Sequence, residues 1–153
     1  MTGIDLPDEA ATEALAARLA KRARPGDVIA LRGDLGAGKT AFARAFIRAL
    51  GGSEEVPSPT FTLVQVYALK AATIWHFDLY RLHSPEEAWE LGIEEAFSTG
   101  IALIEWPERL GPLLPERRLD ITLAFGERPE ARHAFLCAGS DWAARLAGIA
   151  ADA

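Results

Sequence analysis

Apolar residues recur along this chain with two periods, and each period marks a different kind of element. Ala11, Leu15 and Leu19 fall at helical spacing behind Asp8. They predict a helix over residues 9–23, capped by Asp8 and ended by Pro25-Gly26. Phe42, Phe46 and Leu50 form a second stripe, within a helix over 41–50 that Gly51-Gly52 close. Between the two, Val28-Ile29-Ala30-Leu31 reads as a buried strand within 27–32. Ile101-Ala102-Leu103-Ile104 reads as a strand covered on both faces. Residues 61–67 and 73–79 are strand-like and only about five residues apart. That gap is too short for a helical crossover and predicts a hairpin, hence a mixed sheet. Ser84-Pro85-Glu86-Glu87 predicts a helix start, with Gly92 as a break and a short helix over 93–97. Leu119–Phe125 and residues 131–137 predict a late antiparallel pair, followed by a helix over 141–149. Strands alternating with helices make this an α/β chain.

The junction between the first buried strand and the second helix carries the chemistry. Gly33-Asp34-Leu35-Gly36-Ala37-Gly38-Lys39-Thr40 fits the phosphate-binding pattern G-x-x-x-x-G-K-[ST] at every fixed position. Glycines let successive backbone N–H groups turn toward one anion, and the helix N-terminus adds its positive dipole end. Lys39 is expected to reach the β- and γ-phosphates, and the Thr40 hydroxyl to bind Mg²⁺. A nucleoside triphosphate is the expected ligand. Lysine is otherwise scarce, since Lys21 and Lys70 are the only others.

Composition narrows the partners. Lys plus Arg number 16 and Asp plus Glu 22, a net charge of −6. That balance argues against a broad nucleic-acid surface and against strong attraction to anionic membranes. No window approaches the roughly 20 apolar residues of a membrane span, and the N-terminus has no signal-peptide pattern. With Cys137 as the only cysteine, no intrachain disulfide can form, and a cytoplasmic, reducing setting is expected. Cys137 itself is expected to be a small buried hydrophobe.

Hydrolysis of a triphosphate also requires a carboxylate near the metal, at the end of a neighbouring strand. In Thr73-Ile74-Trp75-His76-Phe77-Asp78, alternation places Ile74, His76 and Asp78 on one face. Glu105 directly follows the apolar strand 101–104. Both acids occupy strand C-terminal ends, where open α/β sheets bind ligands. A solvated carboxylate or a helix cap is the competing reading for each. Thr60, in Pro57-Ser58-Pro59-Thr60, is a loop hydroxyl of the kind that closes over a γ-phosphate, unless the prolines merely stiffen a strand. His83 is expected to be solvated, and His133 has no acid at ligand spacing.

The phosphate loop, then Ser58-Pro59-Thr60-Phe61, then His76-Phe77-Asp78-Leu79-Tyr80-Arg81, then Ile104-Glu105-Trp106-Pro107-Glu108, together resemble the TsaE (YjeE) family. These are small ATPases of bacterial tRNA threonylcarbamoyladenosine synthesis. The resemblance covers residues 8–108 and weakens after Pro115. It implies a P-loop NTPase-like three-layer fold with a mixed parallel and antiparallel sheet, one domain over 1–153, and an ATPase that is slow alone. The implied partners are the TsaD and TsaB subunits of the transferase that modifies adenosine-37 of tRNAs reading codons that begin with A. ATP hydrolysis would support that transferase, with tRNA contacted only indirectly. By the same resemblance Leu35, Gly36, Ala37, Gly38, Lys39 and Thr40 hold the phosphates. Thr40 and Glu105 hold Mg²⁺, Asp78 acts in the metal and water network, and Thr60 acts in a switch loop. Thr12 and Arg128 line the nucleoside, and Trp106 packs near the site.

Two other classes compete. A small-molecule kinase would use a lid of arginines, which Arg117-Arg118 and Arg128 with Arg132 could imitate. A GTPase-type switch reads guanine through Asn-Lys-x-Asp, which this chain cannot contain because it has no asparagine.

Overall fold

The computed structural model describes residues 2–52 and 62–149. Its frame is a seven-stranded sheet in the order β1-β7-β6-β2-β5-β4-β3. The strands are β1 (Thr2–Leu6), β2 (Val28–Arg32), β3 (Val64–Ala68), β4 (Thr73–Asp78), β5 (Ile101–Glu105), β6 (Leu119–Phe125) and β7 (Arg132–Ala138). The four central strands β6, β2, β5 and β4 run parallel. β3 pairs antiparallel with β4 through the expected hairpin, and β7 pairs antiparallel with β6. The sheet is therefore mixed.

Side-chain alternation divides the apolar residues between two faces. Ile29, Leu31, Ile101, Leu103 and Ile121 point to one face. There they meet Leu15 and Leu19 of α1 (Glu9–Arg22) and Phe42 and Phe46 of α2 (Lys39–Ala49). Val28, Phe77, Ala102 and Ile104 point to the other. They pack against Ala88 of a 3₁₀ segment (Pro85–Leu91), Ile93 and Ala96 of α3 (Ile93–Thr99) and Leu110 of a second 3₁₀ segment (Pro107–Leu113). All five residues of β5 are buried, as a strand covered on both faces requires. The result is three layers.

Local signals account for most boundaries. Asp8 caps α1, accepting the Ala11 amide at 2.9 Å. Ser84 and Glu87 form a capping box ahead of Pro85, yet the chain tightens into 3₁₀ rather than α geometry before Gly92 stops it. The expected C-terminal helix is a single turn, α4 (Ser140–Ala143). Beyond it Ala147 and Ile149 bond three residues back instead of four, while Trp142, Leu146 and Ile149 still reach the core. Arg145 holds this segment down. Its guanidinium binds both Asp27 oxygens, at 2.7 and 2.9 Å, and the Arg22 carbonyl at 2.9 Å.

The sequence reading missed one strand, β1, which pairs along β7. Cys137 is exposed rather than the buried hydrophobe expected. On β7, Ala134 and Leu136 take the inward positions, and the period of two turns Phe135 and Cys137 outward. No helix among the described residues is long and apolar enough to cross a membrane.

The second core tests its packing at Gly100. A Cβ there would lie 2.6 Å from Trp75 Cδ1 and 3.0 Å from the Thr73 carbonyl oxygen. Gly100→Ala is expected to lower the thermal unfolding midpoint by about 3–10 °C, as overpacking typically does. An unchanged midpoint in calorimetry would mean that the Trp75 ring moves aside freely.

Candidate nucleotide site

The parallel register aligns the carboxyl ends of the central strands. Glu105 of β5 stands opposite Leu31 of β2 on one side and Asp78 of β4 on the other. The phosphate loop leaves β2 at this end and enters α2. Gly33, Gly36 and Gly38 have φ of 145°, 82° and 107°, values that L-residues with side chains rarely adopt. At Gly33 a Cβ would also come within 2.5 Å of the Leu123 carbonyl oxygen. The first amides of α2 have no intrahelical acceptor and carry the positive end of its dipole. A cavity of about 420 Å³ opens over them. Gly36, Gly38, Lys39, Thr40, Asp78 and Glu105 line it, with Leu35, Tyr80, Arg81 and Trp106 among its walls.

Glu105 joins Thr40 and His76 in one hydrogen-bonded set, with Lys39 and Asp78 beside it in the cavity wall. The Thr40 hydroxyl lies 3.0 and 3.1 Å from the two Glu105 carboxylate oxygens. His76 Nε2 is 2.7 Å from Glu105 Oε2. The Asp78 carboxylate accepts the Tyr80 amide at 3.2 Å. Lys39 is only 5% exposed; its ammonium donates to the Gly33 carbonyl and lies 3.5 Å from the centre of the Trp106 ring. Trp106 reaches that position because its backbone is left-handed (φ 58°, ψ 51°), an uncommon conformation for a bulky residue. Its ring meets Tyr80 at a centroid distance of 5.0 Å.

Burial and like charge shape the electrostatics. Burial lowers the Lys39 ammonium below the usual lysine value, against the opposing pull of Glu105, Glu108, Asp78 and Asp34. Burial, and then the neighbouring Glu105 charge, raise Asp78 above the usual carboxylate value, opposed by the Tyr80 amide, His76 and Lys39. The donors gathered here are hard oxygens, of the type that suits Mg²⁺. Among the described residues no group of three or more His, Cys, Asp or Glu side chains could hold a metal.

The other expected residues lie at varied distances from this cavity. Leu35 is 66% exposed at the loop tip, while Ala37 turns its side chain into the core. Thr12 is buried on α1, and Arg128 donates to the Pro7 carbonyl at 3.2 Å just before that helix. Neither belongs to the lining of the cavity, but both sit near the start of α1. Thr60 lies outside the described residues. One residue escaped the sequence reading as a site residue: Arg132, at the start of β7. It donates to the Ala37 carbonyl at 3.0 Å and the Gly36 carbonyl at 3.2 Å, bracing the loop from behind. A partner 95 positions away leaves no local signal.

Known proteins resemble this chain in sequence and fold. The family model described as "Threonylcarbamoyl adenosine biosynthesis protein TsaE" matches residues 6–134. A Rickettsia felis protein named tRNA threonylcarbamoyladenosine biosynthesis protein TsaE is 46% identical over 119 residues, covering 77% of this chain and 70% of its own length. A Bacillus subtilis protein of the same name is 38% identical over 135 residues, covering 88% of this chain and 83% of its own. The crystal structure of Bacillus subtilis YdiB aligns with a TM-score of 0.82 at 30% identity, covering 99% of this chain and 95% of the other. With a matched family model over most of its length and relatives of this similarity, the chain belongs to the TsaE family of threonylcarbamoyl adenosine biosynthesis proteins.

Proposed function

We propose that the protein is a Mg²⁺-dependent ATPase that supports the threonylcarbamoyl transferase, formed with TsaD and TsaB subunits, in modifying adenosine-37 of tRNA. The observation that carries this reading is the convergence of Lys39, Thr40 and Glu105 on the phosphate loop. The loop glycines open a concave backbone, and the amides at the start of α2 are free to take phosphate oxygens. Lys39 has only a carbonyl and a ring face to leave before it meets the β- and γ-phosphates. The Thr40 hydroxyl points its hydrogen at Glu105, so its oxygen lone pairs remain for a cation. Thr40 and Glu105 would hold Mg²⁺, and Asp78 would act in the adjoining metal and water network. The cation would supply charge neutralisation on the β- and γ-phosphate oxygens. Thr60 is assigned to the switch loop, and Thr12 and Arg128 to the nucleoside, on family resemblance.

The kinase alternative has less support. Arg117 pairs with Asp141 at 3.0 Å, Arg118 with Asp120 at 3.0 Å and Arg128 with Glu130 at 3.4 Å. With Arg132 on the loop carbonyls, none of the four forms a lid over the cavity.

Reconstitution tests the reading directly. ATP hydrolysis by the chain alone is expected to be slow and to rise when TsaD and TsaB are added. No stimulation and no association would favour a free-standing kinase. Lys39→Ala is expected to lower turnover by about 100-fold or more, the scale of losing one charged contact to the transition state. Turnover at the wild-type rate would remove Lys39 from the site. Glu105→Gln is expected to damage hydrolysis more than ATP affinity, read by comparing steady-state rates with equilibrium nucleotide binding.

Asp78→Asn separates function from stability. Because its folded-state value is raised, the folded chain prefers the neutral acid. The associated stability is full below the unfolded value and is lost as pH climbs through the folded value. At neutral pH the ionised carboxylate therefore opposes folding. The Asn variant is expected to melt about 1–3 °C higher at neutral pH while hydrolysing ATP more slowly, with the stability gap closing as the pH falls into the carboxylate range. A lower midpoint at neutral pH would contradict this.

A further inference from the structure

His76 has 0% relative exposure, in the middle of β4 and on the face that packs against α1 and α2. A leucine would fill such a position without any polar cost. The imidazole brings one. Its Nδ1 is buried with no hydrogen-bond partner among the described residues, a defect that native interiors seldom carry without a reason. Among the described residues its single hydrogen bond is the 2.7 Å contact from Nε2 to Glu105 Oε2. Since a carboxylate only accepts, Nε2 carries the hydrogen and donates it.

We infer that His76 is a positioning residue: it fixes the rotation of the Glu105 carboxylate so that this group and the Thr40 hydroxyl present a preformed pair of oxygens to the cation. The inference rests on the Mg²⁺-dependent ATPase reading of the site. Glu105 projects from the end of β5 on a side chain with three rotatable bonds. Thr40 alone leaves its carboxylate undecided, because the hydroxyl is almost equidistant from Oε1 and Oε2, at 3.0 and 3.1 Å. The histidine breaks that symmetry. It claims Oε2 from the strand side, which leaves Oε1 as the oxygen with the fewer donors. β4 and β5 are hydrogen-bonded neighbours with His76 in register with Leu103, two residues before Glu105, so backbone pairing fixes the donor's place. An outer partner that orients a ligand in this way is commonly worth 10–100-fold in metal affinity.

Amide substitutions provide the test. Glutamine carries an N–H at about the reach of Nε2, whereas the shorter asparagine stops at the level of Nδ1. Mn²⁺ binding to the wild-type protein, His76→Leu, His76→Asn and His76→Gln is measured by electron paramagnetic resonance in the presence of the β,γ-imido analogue of ATP. The Leu and Asn variants are expected to bind Mn²⁺ about 10–100-fold more weakly, and the Gln variant within about threefold of wild type. His76→Leu removes the orphaned nitrogen but also takes one donor from the buried Glu105 carboxylate. Should the Leu variant fail to fold, the contrast between Asn and Gln decides alone. Wild-type Mn²⁺ affinity in Leu or Asn, or a Gln variant as weak as Asn, would overturn the positioning role and leave the ATPase reading intact. A wild-type protein that binds no Mn²⁺ with the analogue would overturn both.

Discussion

The hydrogen bonds of the Glu105 carboxylate hold the top of this molecule together. They join β5 to the first turn of α2 through Thr40 and to β4 through His76. A carboxylate that is only 2% exposed is costly to bury, and it persists because donors surround it. The same bonds tie function to strand pairing. If β5 slipped by one residue, Glu105 would face the other core, behind α3 and the 3₁₀ segments, and the site would lose its acid. The apolar alternation of β5 is thus also a specification of where a charge must point.

Around that carboxylate the charge is unevenly balanced. Asp78 and Glu105 end adjacent strands and face one buried ammonium, that of Lys39. Burial disfavours both kinds of charge, while their mutual attraction supports them. Burial, and after it the charge of the neighbouring Glu105, push Asp78 upward. Such a set suits a ligand that brings a cation together with anions. The left-handed Trp106 adds a flat wall beside Lys39, and its unusual backbone sits immediately after the critical acid.

Features fixed by local chemistry were legible in the sequence. The phosphate loop announced itself through glycines and a lysine at set spacing, the hairpin through a gap too short for a crossover, and β5 through an unbroken apolar run. Features decided by distant packing were not. β1 is an edge strand with Gly3 and Asp5 at outward positions, so its alternation resembles an unstructured lead-in. Residues 141–149 have helical spacing of apolar groups, but their hydrogen bonds tighten once Trp142 and Leu146 settle into the core. Cys137 follows the parity of β7 rather than the usual habit of its residue type. At the site, sequence alternation put His76 beside Asp78, but its bond to Glu105 crosses strands and needed the fold.

The bracing of the phosphate loop by Arg132 bears on how the protein is made. The octapeptide is complete at Thr40, and α2 can form soon afterwards from its own residues. Its loop carbonyls nevertheless wait for a guanidinium on β7, which can take its place only when β6 has paired with β2 and β7 with β6. A chain emerging from the ribosome therefore carries the whole motif long before it carries the braced loop. Nascent or truncated forms that end before β7 would expose a glycine-rich turn without its support. Bracing of the loop is in this way deferred until nearly the entire sheet is assembled, a built-in delay that sequence order imposes and that the motif alone does not disclose.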